Sequence, residues 1–400
     1  MENTILNEAK LLSNEIIEHY EFLHKNAEIG FDLQKTKKYV KDKLTDMGYT
    51  PKECGKCGIV ATIGKYGKVF LLRADMDALP MKEETTLPYK CENGNMHSCG
   101  HDTHTAMLLG AAKLLKKYEN KINGTVKLMF QPSEENLEGA IDMVNSGVLE
   151  NPKADAAMMI HSITGIPLES GTVIVAGKGV SSPAADYFTI NITGKASHGS
   201  TPQLGIDALN VASHILVAIQ EITARELGIQ SNSVITIGRL TGGDAGNVIA
   251  HTAVMEGTIR AFDEKTRLFI KKRIAEISSS IATAFRAKSD IVFGAGCPTL
   301  INDASLSEFV SSETKALLGE RNAITTVELG SNFSGGSDDF AYVSHKVPSI
   351  MLSLVAGDKR NGYEYTQHHP KAVFDNSVLY IGSAVYFNTA LKWLTENVNR

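Results

Sequence analysis

The chain has 400 residues, 43% of them hydrophobic, and a formal net charge of -5, which is enough for a full core and favours two domains over one. Mild acidity offers no electrostatic attraction to nucleic acid or an anionic membrane, and no apolar run is long enough to span a bilayer, so both partners are set aside. The first residues lack a basic segment followed by an apolar one, and five cysteines are an odd set, which argues against a disulfide framework and for the cytosol.

Residues 4–25 carry apolar side chains at helical spacing, among them Ile5, Leu12, Ile16, Tyr20 and Leu23, and a second amphipathic helix is predicted over 35–47, ending at Gly48. Cys54-Gly55-Lys56-Cys57 has the spacing of a redox pair or half a zinc knuckle, but no second such pair follows, and it reads as two reduced thiols in a turn. Residues 59–63 and 69–72 are short apolar strands joined by Gly64-Lys65-Tyr66-Gly67, the pattern of a hairpin. The second runs into Arg73-Ala74-Asp75-Met76-Asp77.

His97, Cys99, His101 and His104 then place a thiol and three imidazoles within eight residues. Cys99 and His101 suit zinc or another borderline divalent ion, and Gly100 lets the backbone bend so that both face inward. The plain alternative is a Cys-His pair packed in a core. From Ala106 an apolar run predicts a buried helix that Asp102 or Thr103 can cap, with the candidate ligands on the loop before it. Two more strands end in polar residues: 125–130 runs into Gln131-Pro132-Ser133-Glu134-Glu135, and 156–160 into His161. In open α/β sheets, ligand-binding groups gather beyond the carboxyl ends of the strands, so Asp75, Asp77, Glu134, Glu135 and His161 could share a pocket with Cys99 and His101. Each alone could also be a solvated loop residue or a helix cap.

The pattern changes near 177–183 and again near 294–298. Between these breaks the order is strand (186–193), helix (206–227), strand (234–240), strand (253–262), helix (265–285) and strand (290–293), the ferredoxin-like βαββαβ sequence. The expected organisation is an α/β catalytic domain, with a mixed central sheet flanked by helices, over 1–183 and 296–400, carrying an inserted domain over 184–295 on two crossings that could hinge. Inside the insert, His198 sits in a loop of small residues, and Asn247 and Arg260 flank or end neighbouring strands; Arg260 could grip a carboxylate with its planar fork. After it come a helix from about 305 to 318, the run Gly335-Gly336-Ser337-Asp338-Asp339-Phe340, a strand over 350–354 and a last helix over 377–395. Gln367-His368-His369-Pro370 precedes that helix, and its histidines are candidates for a final ligand.

In this order the residues resemble the amidohydrolase branch of the dinuclear-metal aminoacylase and carboxypeptidase family, which includes hippurate hydrolases, auxin-conjugate hydrolases and N-acetyldiaminopimelate deacetylases. The resemblance covers nearly the whole chain. It is carried by Leu23-His24 with Glu28-Ile29-Gly30-Phe31, Arg73-Ala74-Asp75-Met76-Asp77-Ala78-Leu79-Pro80, Met96-His97-Ser98-Cys99-Gly100-His101-Asp102, Gln131-Pro132-Ser133-Glu134-Glu135, His161, Gly194-Lys195-Ala196-Ser197-His198, Asn247-Val248-Ile249, Gly257-Thr258-Ile259-Arg260 and His368-His369-Pro370. It implies two divalent ions per chain (zinc, manganese, cobalt or nickel) on Cys99, His101, Glu135, His161 and His368. Glu134 would be the general base for metal-activated water attacking the amide of a small N-acyl amino acid or short peptide. As neighbours on an extended segment, Glu134 and Glu135 would face opposite ways and divide these tasks.

The resemblance also implies a lid and homodimer role for the insert, with His198 meeting the developing oxyanion, often from a neighbouring subunit. Asn247 and Arg260 would hold substrate, and Asp77 would orient a metal-binding residue. Asp75 stands where other branches have a metal-binding histidine. Ala27, Leu33, Ala372-Val373 and the run after His161 depart from the usual pattern without removing a candidate ligand. A metallo-carboxypeptidase or dipeptidase with the same centre is the alternative, since both reactions cut an amide beside a carboxylate. A binding protein that kept only the fold would have lost a ligand or Glu134, and none is lost.

Overall fold

Seven consecutive buried residues, Val69–Asp75, form the strand on which the larger unit is centred. A strand buried on both faces belongs between two helical layers, and here it carries Arg73 and Asp75 into the interior. The computed structural model describes residues 2–330 and 336–397; Gly335 of the run before Asp338 lies outside them. The chain divides into two units. The first holds residues up to Ser181, the segment that begins at Ile301 and the segment that begins at Asp338, and the second holds Ser182–Leu300 and a short piece ending at Ser337.

In the first unit one mixed sheet is built from β1 (Lys52–Cys54), β2 (Gly58–Gly64), β3 (Val69–Asp75), β4 (Thr125–Gln131), β5 (Ala156–Ile163), β6 (Val173–Val175), β7 (Ala323–Thr325) and β8 (Ser349–Val355). Their order is β1-β2-β4-β3-β5-β8-β6-β7. At the centre β4, β3, β5 and β8 are parallel, and β2 and β6 join them antiparallel. The expected hairpin is therefore corrected: β4 lies between β2 and β3. The turn over 64–67 closes on residues 124 and 125 instead, with Lys65 N–H donating to Gly124 O (2.6 Å) and Thr125 N–H to Lys68 O (2.9 Å). Consecutive apolar strands need not pair with each other when a third buried strand satisfies both their ladders.

The helical stretch over 4–25 is likewise two helices, α1 (Glu2–Leu11) and α2 (Ser13–Lys25), separated at Leu12. They are followed by α3 (Gln34–Asp46), α4 (His101–Lys117), α5 (Gly139–Asn145), α6 (Ala304–Leu318) and α7 (Leu379–Glu396). α4 is buried along nearly its whole length, against α2, α7 and β3. From α7, the fully buried Tyr386 reaches into the sheet, donating its hydroxyl to Arg73 O (2.7 Å) and accepting Ile160 N–H (2.8 Å). The β3–β5 ladder ends at the Arg73–Met159 pair. The phenol thus takes over where the two strands part, and the residues beyond them, Asp75 and His161, have room for side chains between them.

In the second unit, strand Ala184–Thr193, helix Ala208–Glu221, strands Ser233–Gly242 and Thr252–Ala261, helix Glu264–Ala284 and strand Lys288–Cys297 follow in that order. All four strands are antiparallel, the first lying between the third and fourth and the second outside the third. This unit has its own core, which includes Phe188, Ile190, Ile215, Met255 and Ile274. Buried Asp186 takes the Arg267 fork in two bonds of 2.6 and 2.8 Å. No helix among the described residues is long and apolar enough to cross a membrane.

Candidate metal centre

The carboxyl ends of the parallel strands converge. Asp75 ends β3 with Asp77 two residues on, Glu134 and Glu135 follow β4, and His161 lies near the end of β5. α4 supplies the rest. It begins at His101, not near Ala106, so this imidazole is on the first turn of the helix and not on a preceding loop; Gly100 is the N-cap, and neither Asp102 nor Thr103 is. Gly100 has φ 94°, and a Cβ there would lie 2.9 Å from the Phe374 ring, so the bend between Cys99 and His101 depends on glycine.

Ligand atoms from five of the expected residues form two triads, Cys99-His101-His161 and Cys99-Glu135-His368, in each of which all atoms lie within 4.8 Å of one another. The thiol is common to both. Cys99 Sγ is 3.6 Å from His161 Nε2, and His368 Nε2 is 3.3 Å from Glu135 Oε1. Since a carbonyl only accepts, His101 Nδ1–H donates to Asp77 O (2.8 Å) and His161 Nδ1–H to Ser162 O (2.8 Å). Each ring then keeps its Nε2 lone pair for the cluster. His101 Nε2 and Glu135 Oε1 are buried with no hydrogen bond.

Burial pushes the Cys99 thiol up to about 12, so a bare thiol here is protonated and unreactive. Burial would push the His101 imidazole down, but the Asp75 carboxylate and the Asp77 hydrogen bond hold it well above its ordinary value, so without a cation the ring carries on Nε2 a proton that a bound cation would displace. A thiol, three imidazoles and a carboxylate with unused buried lone pairs, in anionic surroundings, fit a pair of borderline divalent cations.

Glu134 and Glu135 stand in a turn, not on an extended segment, because Ser133 (φ 55°) and Leu137 (φ 57°) are left-handed. Asp77 holds the apex of this turn: its Oδ1 accepts Glu134 N–H (2.9 Å) and its Oδ2 accepts Glu135 N–H (3.2 Å). One residue therefore fixes both His101, through its carbonyl, and the two glutamates, through its carboxylate. Glu134 Oε2 lies 3.7 Å from His101 Nε2. Burial, then the neighbouring Asp338 and Glu135 charges, push its carboxyl well above the usual range.

Sequence reasoning missed the support beneath these groups. Arg73, fully buried, forms ion pairs with Asp75 (2.8 Å), Asp338 (3.2 Å) and Asp339 (3.1 Å). The available signal was a guanidinium inside an otherwise apolar strand, together with the Asp338-Asp339 pair. His104 donates from Nδ1 to Asp75 Oδ1 (2.6 Å) and accepts Ser162 N–H at Nε2 (2.7 Å); it must be neutral to do both, and burial lowers it to about 4. Asp75 is in the cluster, within ligand reach of His101 and His104; its Oδ1 accepts from His104, while its Oδ2 is paired in charge with Arg73 but, like His101 Nε2, has no hydrogen bond. Behind α4, His24 bridges Asp102 Oδ2 (2.7 Å) and Glu83 Oε1 (3.2 Å).

The adjacent histidines diverge. His368, itself left-handed at φ 62°, turns to Glu135, whereas the His369 ring stacks on Tyr365 with centroids 4.2 Å apart. With His101 fully buried and the His368 side chain 54% exposed, the centre opens on the His368 side.

In the second unit, His198 pairs with Val248, and Gly199 N–H donates to Asn247 O (2.8 Å), so His198 and Asn247 are neighbours. The His198 ring is exposed, with Nδ1 2.7 Å from Ser200 Oγ. Arg260 is not with them. Thr252 pairs with Thr193, from which the His198 loop departs, and Arg260 lies near the other end of that strand, roughly 26 Å away at the usual rise per residue.

Residues 71–392 match the model of peptidase family M20/M25/M40. The chain is 34% identical over 376 residues to hippurate hydrolase of Campylobacter jejuni, covering 93% of this chain and 94% of that protein. It is 34% identical over 396 residues to thermostable carboxypeptidase 2 of Saccharolobus solfataricus, covering 97% of each. Among solved structures, a dinuclear metal binding peptidase of the M20 family from Bacillus subtilis superposes with a TM-score of 0.78 at 30% identity, covering 97% of this chain and 100% of that one.

Proposed function

This chain belongs to peptidase family M20/M25/M40, and from that premise we propose that it is a metal-dependent amidohydrolase that removes a small acyl group from an amino acid nitrogen. The observation that carries the reading is the pair of triads sharing Cys99, with the buried carboxyl of Glu134 beside them. Cys99, His101, Glu135, His161 and His368 would hold two divalent ions, and the donor set accepts zinc, manganese, cobalt or nickel. When bound, such a pair acidifies a water molecule and polarises a carbonyl.

The chain's own groups do the rest. Glu134 takes the proton of the attacking water and delivers it to the leaving amine, and its buried setting favours the protonated form that carries the proton between the two steps. Asp77 keeps Glu134, Glu135 and His101 in register. The exposed imidazole of His198 is assigned to the developing oxyanion, and Asn247 and Arg260 to the substrate's polar groups and carboxylate; because Arg260 is far from the His198–Asn247 pair in one chain, a small substrate would meet both only with that pair supplied by a second subunit.

We further read the inserted unit as a ferredoxin-like lid and dimerisation domain over about 184–295. Its outer strand Ser233–Gly242 supports this by presenting Val234 and Leu240 to solvent (56% and 37% exposed). Five free cysteines suit the reducing cytosol. A carboxypeptidase or dipeptidase is the second reading, favoured by the equal identity to the Saccharolobus carboxypeptidase. Amine release from N-acetyl and N-benzoyl amino acids and from dipeptides, by protein stripped of metal and reloaded, decides between them. Acetate or benzoate as co-product supports the amidohydrolase; a second amino acid as the main co-product supports the peptidase.

A further inference from the structure

We infer that Asp339 is a positioning residue that fixes the two feet of the Glu134–Glu135 turn, and through them the placement of both glutamates; the inference rests on the hydrolase reading above. The turn leaves the sheet at Gln131, the last residue of β4, and ends where α5 begins. Asp339 Oδ1 accepts Gln131 Nε2–H (2.6 Å) and Arg73 Nη2–H (3.1 Å), while Oδ2 accepts Ala140 N–H (2.8 Å). One carboxylate thus joins both feet. Gln131 Oε1 in turn accepts Arg73 Nε–H (2.9 Å), so the side chain of the first foot is held from two directions.

The feet are close enough for such a tie to matter. Ser133 O accepts both Glu138 N–H (3.2 Å) and Gly139 N–H (3.1 Å), and a Cβ at Gly139 would lie 1.5 Å from Pro132 O. Arg73, the anchor, is itself immobilised by Asp75 and Asp338. Asp77 holds the apex and Asp339 the base, so the turn is clamped at two heights with eight residues between its feet, Gln131 and Ala140. Remove the lower clamp and the apex still has Asp77, but nothing ties the feet to Arg73 through a shared acceptor. A small tilt of this turn moves a base and a metal ligand together, and misplacement of about 1 Å can cost roughly 100-fold in rate.

The test uses Asp339→Asn, which turns one acceptor into a donor facing an N–H, and the double variant Asp339→Asn with Gln131→Glu, which restores donor against acceptor between the two side chains and keeps an oxygen on Ala140 N–H, leaving only Arg73 Nη2–H without this acceptor. Hydrogen exchange by mass spectrometry is read in peptides covering 132–140 and in α4, alongside kcat and KM of the metal-loaded proteins. The expected result is exchange at least tenfold faster in the turn and unchanged in α4. With it, kcat falls about 30- to 100-fold at a KM within about twofold, and the double variant recovers much of both. Unchanged exchange in the turn overturns the inference, as does faster exchange spread equally through α4 without recovery in the double variant. Should Asp339→Asn not fold, Gln131→Met removes one foot alone; it must still speed exchange locally by at least threefold, and failure to do so is equally decisive. Wild-type protein that turns over no substrate would instead sink the hydrolase reading, and the exchange result would still judge the clamp.

Discussion

Asp77→Asn isolates the upper clamp while leaving the side chain of every proposed metal donor in the sequence. The wild-type carboxylate accepts two backbone N–H groups, at 2.9 and 3.2 Å, and hydrogen bonds to a charged acceptor are worth about 1.5–3 kcal/mol each. Asparagine keeps one acceptor and points an amide N–H at the other donor, so the net loss is about 2–4 kcal/mol, part of it relieved by relaxation of the turn. The carbonyl of residue 77 still holds His101. The loss should therefore fall on Glu134 and Glu135 and not on the histidine. We expect ion affinity to weaken about 10- to 100-fold, the usual effect of losing a partner behind a metal ligand, and kcat at saturating metal to drop about 100-fold. Calorimetric titration of stripped protein with manganese or zinc, followed by steady-state kinetics, measures both. A Kd and kcat within threefold of wild type would refute the claim that this carboxylate positions the turn.

Three other perturbations follow from the same geometry. Burial would lower the His24 pKa, but its bonds to Asp102 and Glu83 raise it to about 10; a raised value stabilises the fold fully below the unfolded pKa near 6.5 and is lost as pH climbs through about 10. His24→Gln should thus be less stable at pH 6 by roughly 4 kcal/mol, a gap that closes toward pH 10 in urea melts, and a pH-independent gap would contradict the assignment. Because Cys99 belongs to both triads and His368 to one, Cys99→Ala should abolish binding of both ions and His368→Ala of one, as counted by elemental analysis; equal losses would argue against a shared thiol. Tyr386→Phe leaves Arg73 O and Ile160 N–H without the phenol. It should cost about 2–4 kcal/mol in denaturant unfolding, and an effect below about 0.5 kcal/mol would show that the strands close up without it.

Much of the site was legible because its chemistry is concentrated at a few strand ends and one Cys-Gly-His step. The strands over 125–130 and 156–160 announce themselves by apolar runs that stop at polar residues, and the parallel sheet brings those stops together. Pairing was not legible: residues 59–63 and 69–72 look like a hairpin, and only the distant Thr125–Gln131 strand explains why they are apart. The start of α4 was misplaced because His101 to Thr105 are polar by sequence yet fully buried; their partners Asp77, His24, Asp75 and Ser162 come from elsewhere in the chain. For the same reason the Arg73 network is not legible in the sequence, since Asp338 and Asp339 are more than 260 residues from the guanidinium they neutralise. The divergence of His368 and His369 depends on one left-handed backbone angle, which an ordinary residue type does not signal.

The measurement that bears most directly on the central claim is metal content and turnover on one sample of Glu134→Gln. The substitution removes the base but none of the five donors around Cys99. Reloaded protein should bind two divalent ions per chain, as wild type should, while amine release from N-acyl amino acids falls by at least 1,000-fold, about 4 kcal/mol of barrier. Turnover within tenfold of wild type, with both ions bound, would contradict the role given to Glu134 and with it the mechanism proposed for this centre.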